Sequence, residues 1–151
     1  QTSRRSESGE GGPPTRMRVV LDTNVLVSGI FFSGPPAAIL GAWSEGQLEL
    51  VASVEILVEY RRVGERLHRK YPSIDIDAVL DLVTYHAFIV LPPSLPVTAC
   101  DDADDVKFLA CALAGEAQHV VSGDKALLRA SGFRGVAVIT PREFVREHLR
   151  R

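Results

Sequence analysis

The sequence predicts an α/β fold, a three-layer α/β/α sandwich around a central parallel sheet of about five strands. Three observations carry that expectation. Short apolar, β-branched runs recur along the chain, capped helical patterns separate them, and 151 residues with 46% apolar content suffice for one sizeable core. Arg18 to Leu21 is the first run and stops at Asp22, the pattern of a strand buried on both faces. Thr23 or Asn24 then caps a turn. Pro35 and Pro36 open a helix through Ile39, Leu40 and Trp43, which Gly46 ends. Leu48 to Ala52 is the second strand. Ser53 caps a long helix with Ile56, Tyr60, Val63 and Leu67 as its apolar stripe, stopped by Pro72. Asp75 or Asp77 starts a further helix carrying Val79, Leu80, Leu82 and Val83, and Phe88 to Leu91 is the third strand. A helix over Asp101 to Gly115, capped by Asp102, precedes strand four, His119 to Ser122. Gly123 and Asp124 turn into a short helix, Val136 to Ile139 is strand five, and Thr140-Pro141 opens the last helix.

Gln1 to Arg16 contains no Val, Ile, Leu or aromatic residue and cannot join a core, so residues 1–16 are expected to be a flexible tail before a single domain over 17–151. Met17 reads as the original start. The 17 basic and 19 acidic residues leave a formal charge of −2, which excludes a global cationic field for nucleic acid. Cys100 and Cys111 fit neither a disulfide scaffold nor a Cys/His metal pattern, and no apolar stretch is long enough to span a membrane; a cytoplasmic location is expected.

Four acids stand out. In open parallel sheets, sites gather at the carboxyl ends of the strands, where Asp22 and Asp124 fall. Glu59 shares its helix face with Ile56 and Val63, and Asp105 precedes Phe108, Leu109 and Ala112 by 3, 4 and 7 positions, so both lie toward the core. Two carboxylates ~4 Å apart repel by about 4 kcal/mol at an effective dielectric of 20. Such a group needs protons or a cation, and hard oxygen donors without Cys or paired His select Mg²⁺ or Mn²⁺. The blander alternatives make Asp22 and Asp124 simple caps, place Glu59 on an ordinary helix face beside Arg62 and Arg66, and leave Asp101, Asp102 and Asp104 as helix-start acids, with Asp102 a reserve ligand. The basic run Arg61, Arg62, Arg66, His68, Arg69 and Lys70 and the stripe Arg142, Arg146 and Arg150 are either substrate-binding surfaces or solvated helix faces.

VVLDTNVLVSGIF (Val19 to Phe31), VEILVEYRRV (Val54 to Val63), CDDADDVKFLACAL (Cys100 to Leu113) and HVVSGDKALL (His119 to Leu128), in that order, make the chain resemble the PIN-domain nucleases, in particular the VapC-like toxins of bacterial toxin-antitoxin pairs. The resemblance spans Met17 to about Val145. Ala103 and Val106 depart from the residues usual in the acidic block but leave its acids intact. The resemblance implies a strand order of 3-2-1-4-5, metal-binding catalytic acids at Asp22, Glu59, Asp105 and Asp124, and supporting polar residues at Thr23, Asn24 and Ser122. It further implies Mg²⁺- or Mn²⁺-dependent RNA hydrolysis, with Arg61, Arg62 and Arg66 gripping substrate, a small antitoxin as partner and a homodimer. Two rivals are an aspartyl-phosphate domain, which lacks the second Asp expected near Asp22, and a PIN-fold RNA-binding or interaction module without catalysis.

Overall fold

The computed structural model describes residues 16–149; the N-terminal stretch expected as a tail, except Arg16, and Arg150 of the terminal basic stripe lie outside the described residues. The strands are β1 (Met17–Leu21), β2 (Leu48–Ala52), β3 (Phe88–Ile89), β4 (His119–Val121) and β5 (Ala137–Ile139). All four pairings are parallel, in the order β3-β2-β1-β4-β5, with Val19 opposite both Leu50 and His119. The sheet order is the one expected. Helices α1 (Thr23–Phe31), α2 (Pro35–Ser44), α3 (Val54–His68), α4 (Ile76–His86), α5 (Val106–Ala114), α6 (Lys125–Arg129) and α7 (Pro141–His148) complete the alternation. β1 is central, and Val19, Val20 and Leu21 are almost wholly buried, as a strand covered on both faces requires.

Local signals set most boundaries. Ser53 Oγ accepts from Ile56 N at the start of α3, Asp75 Oδ1 from Ala78 N at α4, and Thr140 with Glu143 forms a capping box on α7. Four expectations need correction. The turn after Asp22 is a helix, α1: its β-branched residues and Gly29 give weak intrinsic propensity, but burial of Val25, Leu26 and Val27 outweighs it. The third strand ends at Ile89, with Leu91 92% exposed, because Pro92 and Pro93 lack ladder donors and β3 is an edge. Asp102 caps a 3₁₀ turn over Ala103–Asp105, and α5 begins only at Val106. Within α4, Leu82 faces outward rather than joining Leu80 and Val83 in the core.

The end of α5 lies directly on β2. A Cβ at Gly115 would stand 2.4 Å from Val51 Cγ1, a separation that side chains do not tolerate. Gly115→Ala is therefore expected to destabilise the fold by about 1–3 kcal/mol through overpacking, measured as a lower urea midpoint at unchanged slope.

Candidate active site

The carboxyl edge of the sheet collects the acids because parallel β1 and β4 end side by side. Asp22 follows β1, its amide donating to Val121 O at 3.0 Å, and the residue is only 6% exposed. Ser122, fully buried after β4, donates from Oγ to Asp22 Oδ2 at 2.6 Å and accepts from Asp124 N at 2.9 Å. One hydroxyl thus fixes two of the acids. Asp124 Oδ2 accepts from Leu127 N at 3.0 Å, so Asp124 caps α6 while its carboxyl also meets that of Asp105. The cap and the site readings of Asp124 are compatible.

Asp105 shows the strain of this gathering. Burial, then the hydrogen-bonding contact and charge of Asp124, then the charges of Asp22 and Asp102 push its carboxyl up to about 7. Burial likewise raises Asp22, against the hydrogen bonds from Ser122 and the Thr23 backbone, with the charges of Asp124 and Glu59 adding to the rise. Glu59 behaves oppositely. Burial pushes it up, but hydrogen bonds from Thr23 and Lys107 and the nearby Lys107 and Arg62 charges prevail, and its net shift is downward. Thr23 Oγ1 donates to Glu59 Oε2, and Lys107 Nζ stands 2.9 Å from Oε1.

The charges of Asp124 and Glu59 therefore act on Asp22, and those of Asp124 and Asp22 on Asp105, at the carboxyl edge of the sheet. Among the described residues, no three His, Cys, Asp or Glu side chains sit close enough to form a preassembled metal cage. The reason is visible in the pairings: Glu59 is held by Lys107 and Thr23, and Asp105 leans on Asp124. The donor set, all carboxylate oxygen, still suits a hard divalent cation. A rise of Asp105 caused partly by neighbouring acids is the electrostatic imbalance such a cation corrects.

Asn24 is exposed on the first turn of α1. Arg61 turns away from the acids and bridges Asp77 and Asp81 of α4 at 3.2 and 3.0 Å. Arg62, 61% exposed, stands 3.9 Å from Glu59, and Arg66 is exposed one turn further along α3. Sequence reasoning passed over Lys107, whose side chain is only 11% exposed. Its signal was a lysine two positions after Asp105, on a helix whose remaining side chains are apolar.

Stability should follow the raised acids. A folded carboxyl above the ordinary ~3.9 of Asp binds a proton that the unfolded chain has released, so its share of stability is intact below about pH 4 and declines as pH rises toward 7. Glu59, lowered by its partners, contributes the opposite slope, with stabilisation lost only as pH falls through its reduced pKa. Without divalent ions the melting temperature is thus expected to fall between pH 5 and 7.5, and magnesium or manganese should flatten that decline. Scanning calorimetry in matched buffers reads both.

Acids at the carboxyl edge of a five-stranded parallel sheet, with exposed arginines on the adjoining helix, define an α/β domain whose candidate site lies at that edge. The chain belongs to the PIN-domain family, whose members are generally nucleases hydrolysing phosphodiester bonds, and the family model matches residues 18–126. It is also similar to an uncharacterized protein of Methanocaldococcus jannaschii, 29% identical over 146 residues covering 87% of this chain and 92% of that protein. No solved structure matches it. Among the described residues, no single helix is long and apolar enough to cross a membrane.

Proposed function

We propose that the protein is a Mg²⁺- or Mn²⁺-dependent ribonuclease. The observation that supports this most is the mutual electrostatic influence of Asp22, Asp105 and Asp124, which come from three separate stretches of chain, at the carboxyl end of β1 and β4. Asp22, Asp105 and Asp124 would hold the ion, and Glu59 would join them by exchanging Lys107 for it. When bound, the metal supplies Lewis acidity at the scissile phosphate and access to hydroxide near neutral pH. Ser122 keeps Asp22 and the Asp124 backbone in register. Thr23 anchors one oxygen of Glu59, leaving the other to Lys107. Lys107 also balances the acid charge against an approaching polyanion, and Arg62 and Arg66 lie where the strand would pass. Arg61 contributes less there, since its charge is directed at α4.

The toxin role, with a small antitoxin as inhibitor, a homodimer and action on cytoplasmic RNA, rests on the four motif blocks quoted from the sequence. Its test is growth arrest on expression alone and relief on co-expression with the neighbouring gene. The nuclease reading is tested by incubating purified protein with single-stranded RNA and Mg²⁺ or Mn²⁺, with a chelator, and as Asp22→Asn. Cleavage confined to the metal-containing wild type is expected; cleavage that survives both chelator and substitution would refute the assignment.

A further inference from the structure

Helix α1 starts directly after Asp22 and packs along α3 from Glu59, the sixth residue of that helix, onward. Thr23 of α1 bonds Glu59 of α3 at one end, and at the other Phe31 and Phe32 meet Tyr71, just past α3. The three rings form one cluster: Phe31 to Tyr71 is 5.9 Å between centroids, and Phe32 meets Tyr71 edge-on at 5.4 Å and 90°. Phe32 is 46% exposed and Tyr71 37%. At 1.5 Å per residue, α1 places this cluster roughly 12 Å from Thr23, a few nucleotides along a strand.

The cations connect the two ends. Taking Glu59 as origin, Arg62 and Arg66 follow at 3 and 7 positions, the spacing of a single helix face, Lys70 comes two residues past the end of α3, and each of the three is exposed. Glu65, three positions after Arg62, stands beside this row and offsets part of its charge, and Arg61 is turned to Asp77 and Asp81. Positive charge therefore leads from Glu59 toward an exposed aromatic cluster. Cations tracking a backbone toward rings that stack bases are the two components of single-strand recognition.

We infer that Phe32 and Tyr71 form a stacking platform for an unpaired base of single-stranded RNA, with Arg62, Arg66 and Lys70 carrying the intervening phosphates toward the acids. The inference rests on the ribonuclease reading for its choice of substrate and adds that the strand must be unpaired at this point. Stacking selects against duplex, whose bases are already occupied by their neighbours. It also tolerates any base, so the platform sets strandedness and distance from the cut rather than sequence.

The test is fluorescence anisotropy with a labelled, unstructured oligoribonucleotide of about ten nucleotides, in chelator so that no cleavage occurs, compared with the same strand annealed to its complement. The wild type should bind the single strand more tightly. Phe32→Ala with Tyr71→Ala should weaken that binding about 10-fold to 100-fold and leave the duplex affinity unchanged. Tyr71→Phe should retain it. Arg66→Gln and Lys70→Gln should each lower the salt dependence of binding by about one phosphate contact while keeping the preference for single strands. Equal affinity for both strand forms, or an unchanged affinity in the double alanine variant, overturns the platform. A change in oligomeric mass of the alanine variant by sedimentation, without loss of RNA binding, also overturns it by assigning the rings to a contact between copies. Since the assay contains no metal, loss of binding in a protein that never cleaves RNA would support the platform and refute only the catalytic reading.

Discussion

Asp105→Asn is expected to remove metal-dependent cleavage while making the metal-free protein more stable at neutral pH. Both effects come from one carboxyl. Burial and the neighbouring Asp124, Asp22 and Asp102 resist its ionisation, so a neutral amide of nearly the same shape relieves repulsion. The amide can still donate a hydrogen bond to Asp124, as the protonated acid does. Asp105 is only partly buried, so water screens the repulsion and the gain in melting temperature is a few degrees at most. It should vanish near pH 4, where the wild-type carboxyl is protonated. The activity term is larger. Loss of groups that merely orient ligands typically costs about 10–100-fold, and Asp105 is proposed as a ligand itself, so a fall of more than about 100-fold is expected. Parallel melting curves and single-turnover cleavage assays check the pair of outcomes. A variant that is less stable at pH 7.5 and still cleaves would contradict this account of the site.

The largest expected loss of stability lies elsewhere. Arg18 of β1 and Glu49 of β2 are paired in register, 6% and 4% exposed, with Nε to Oε1 at 3.3 Å. Arg18 also donates to Gly115 O at 2.9 Å and lies over the Phe88 ring at 4.1 Å, so its guanidinium ties β1 to β3 and to the end of α5. Removing one partner of a buried ion pair strands the other charge in a low dielectric. Glu49→Ala should accordingly cost about 3–5 kcal/mol, and Arg18→Met with Glu49→Leu should recover most of it by replacing the pair with apolar volume. Urea unfolding of the single and double variants decides the matter. A loss under about 1 kcal/mol in Glu49→Ala would mean that water reaches Arg18 after all.

The sheet was legible because parallel strands covered on both faces leave apolar runs, continuous in Val19 to Leu21 and broken only by Glu49 in Leu48 to Ala52. Caps at Ser53, Asp75 and Thr140 made their helices equally readable. Helix α1 was not, since its β-branched sequence folds through burial rather than propensity. The acids at strand ends could be found from the order of apolar runs alone. Their pairings could not: Lys107 capturing Glu59, and Arg61 leaving the substrate side for Asp77 and Asp81, depend on how α3, α4 and α5 lie together. The meeting of Phe31 and Phe32 with Tyr71 is likewise a product of packing between segments far apart in the chain.

The central claim is that these acids converge to bind a divalent cation, and calorimetric titration of Mn²⁺ into the protein without RNA measures it directly. Binding should strengthen from pH 5.5 to 7.5 and release protons in that range, as the incoming ion displaces the Asp105 proton into the buffer. It should be lost in Asp22→Asn and in Asp105→Asn. Manganese binding that is independent of pH and equal in all three proteins would show that the ion sits elsewhere and that the carboxyl edge of the sheet is not a metal centre.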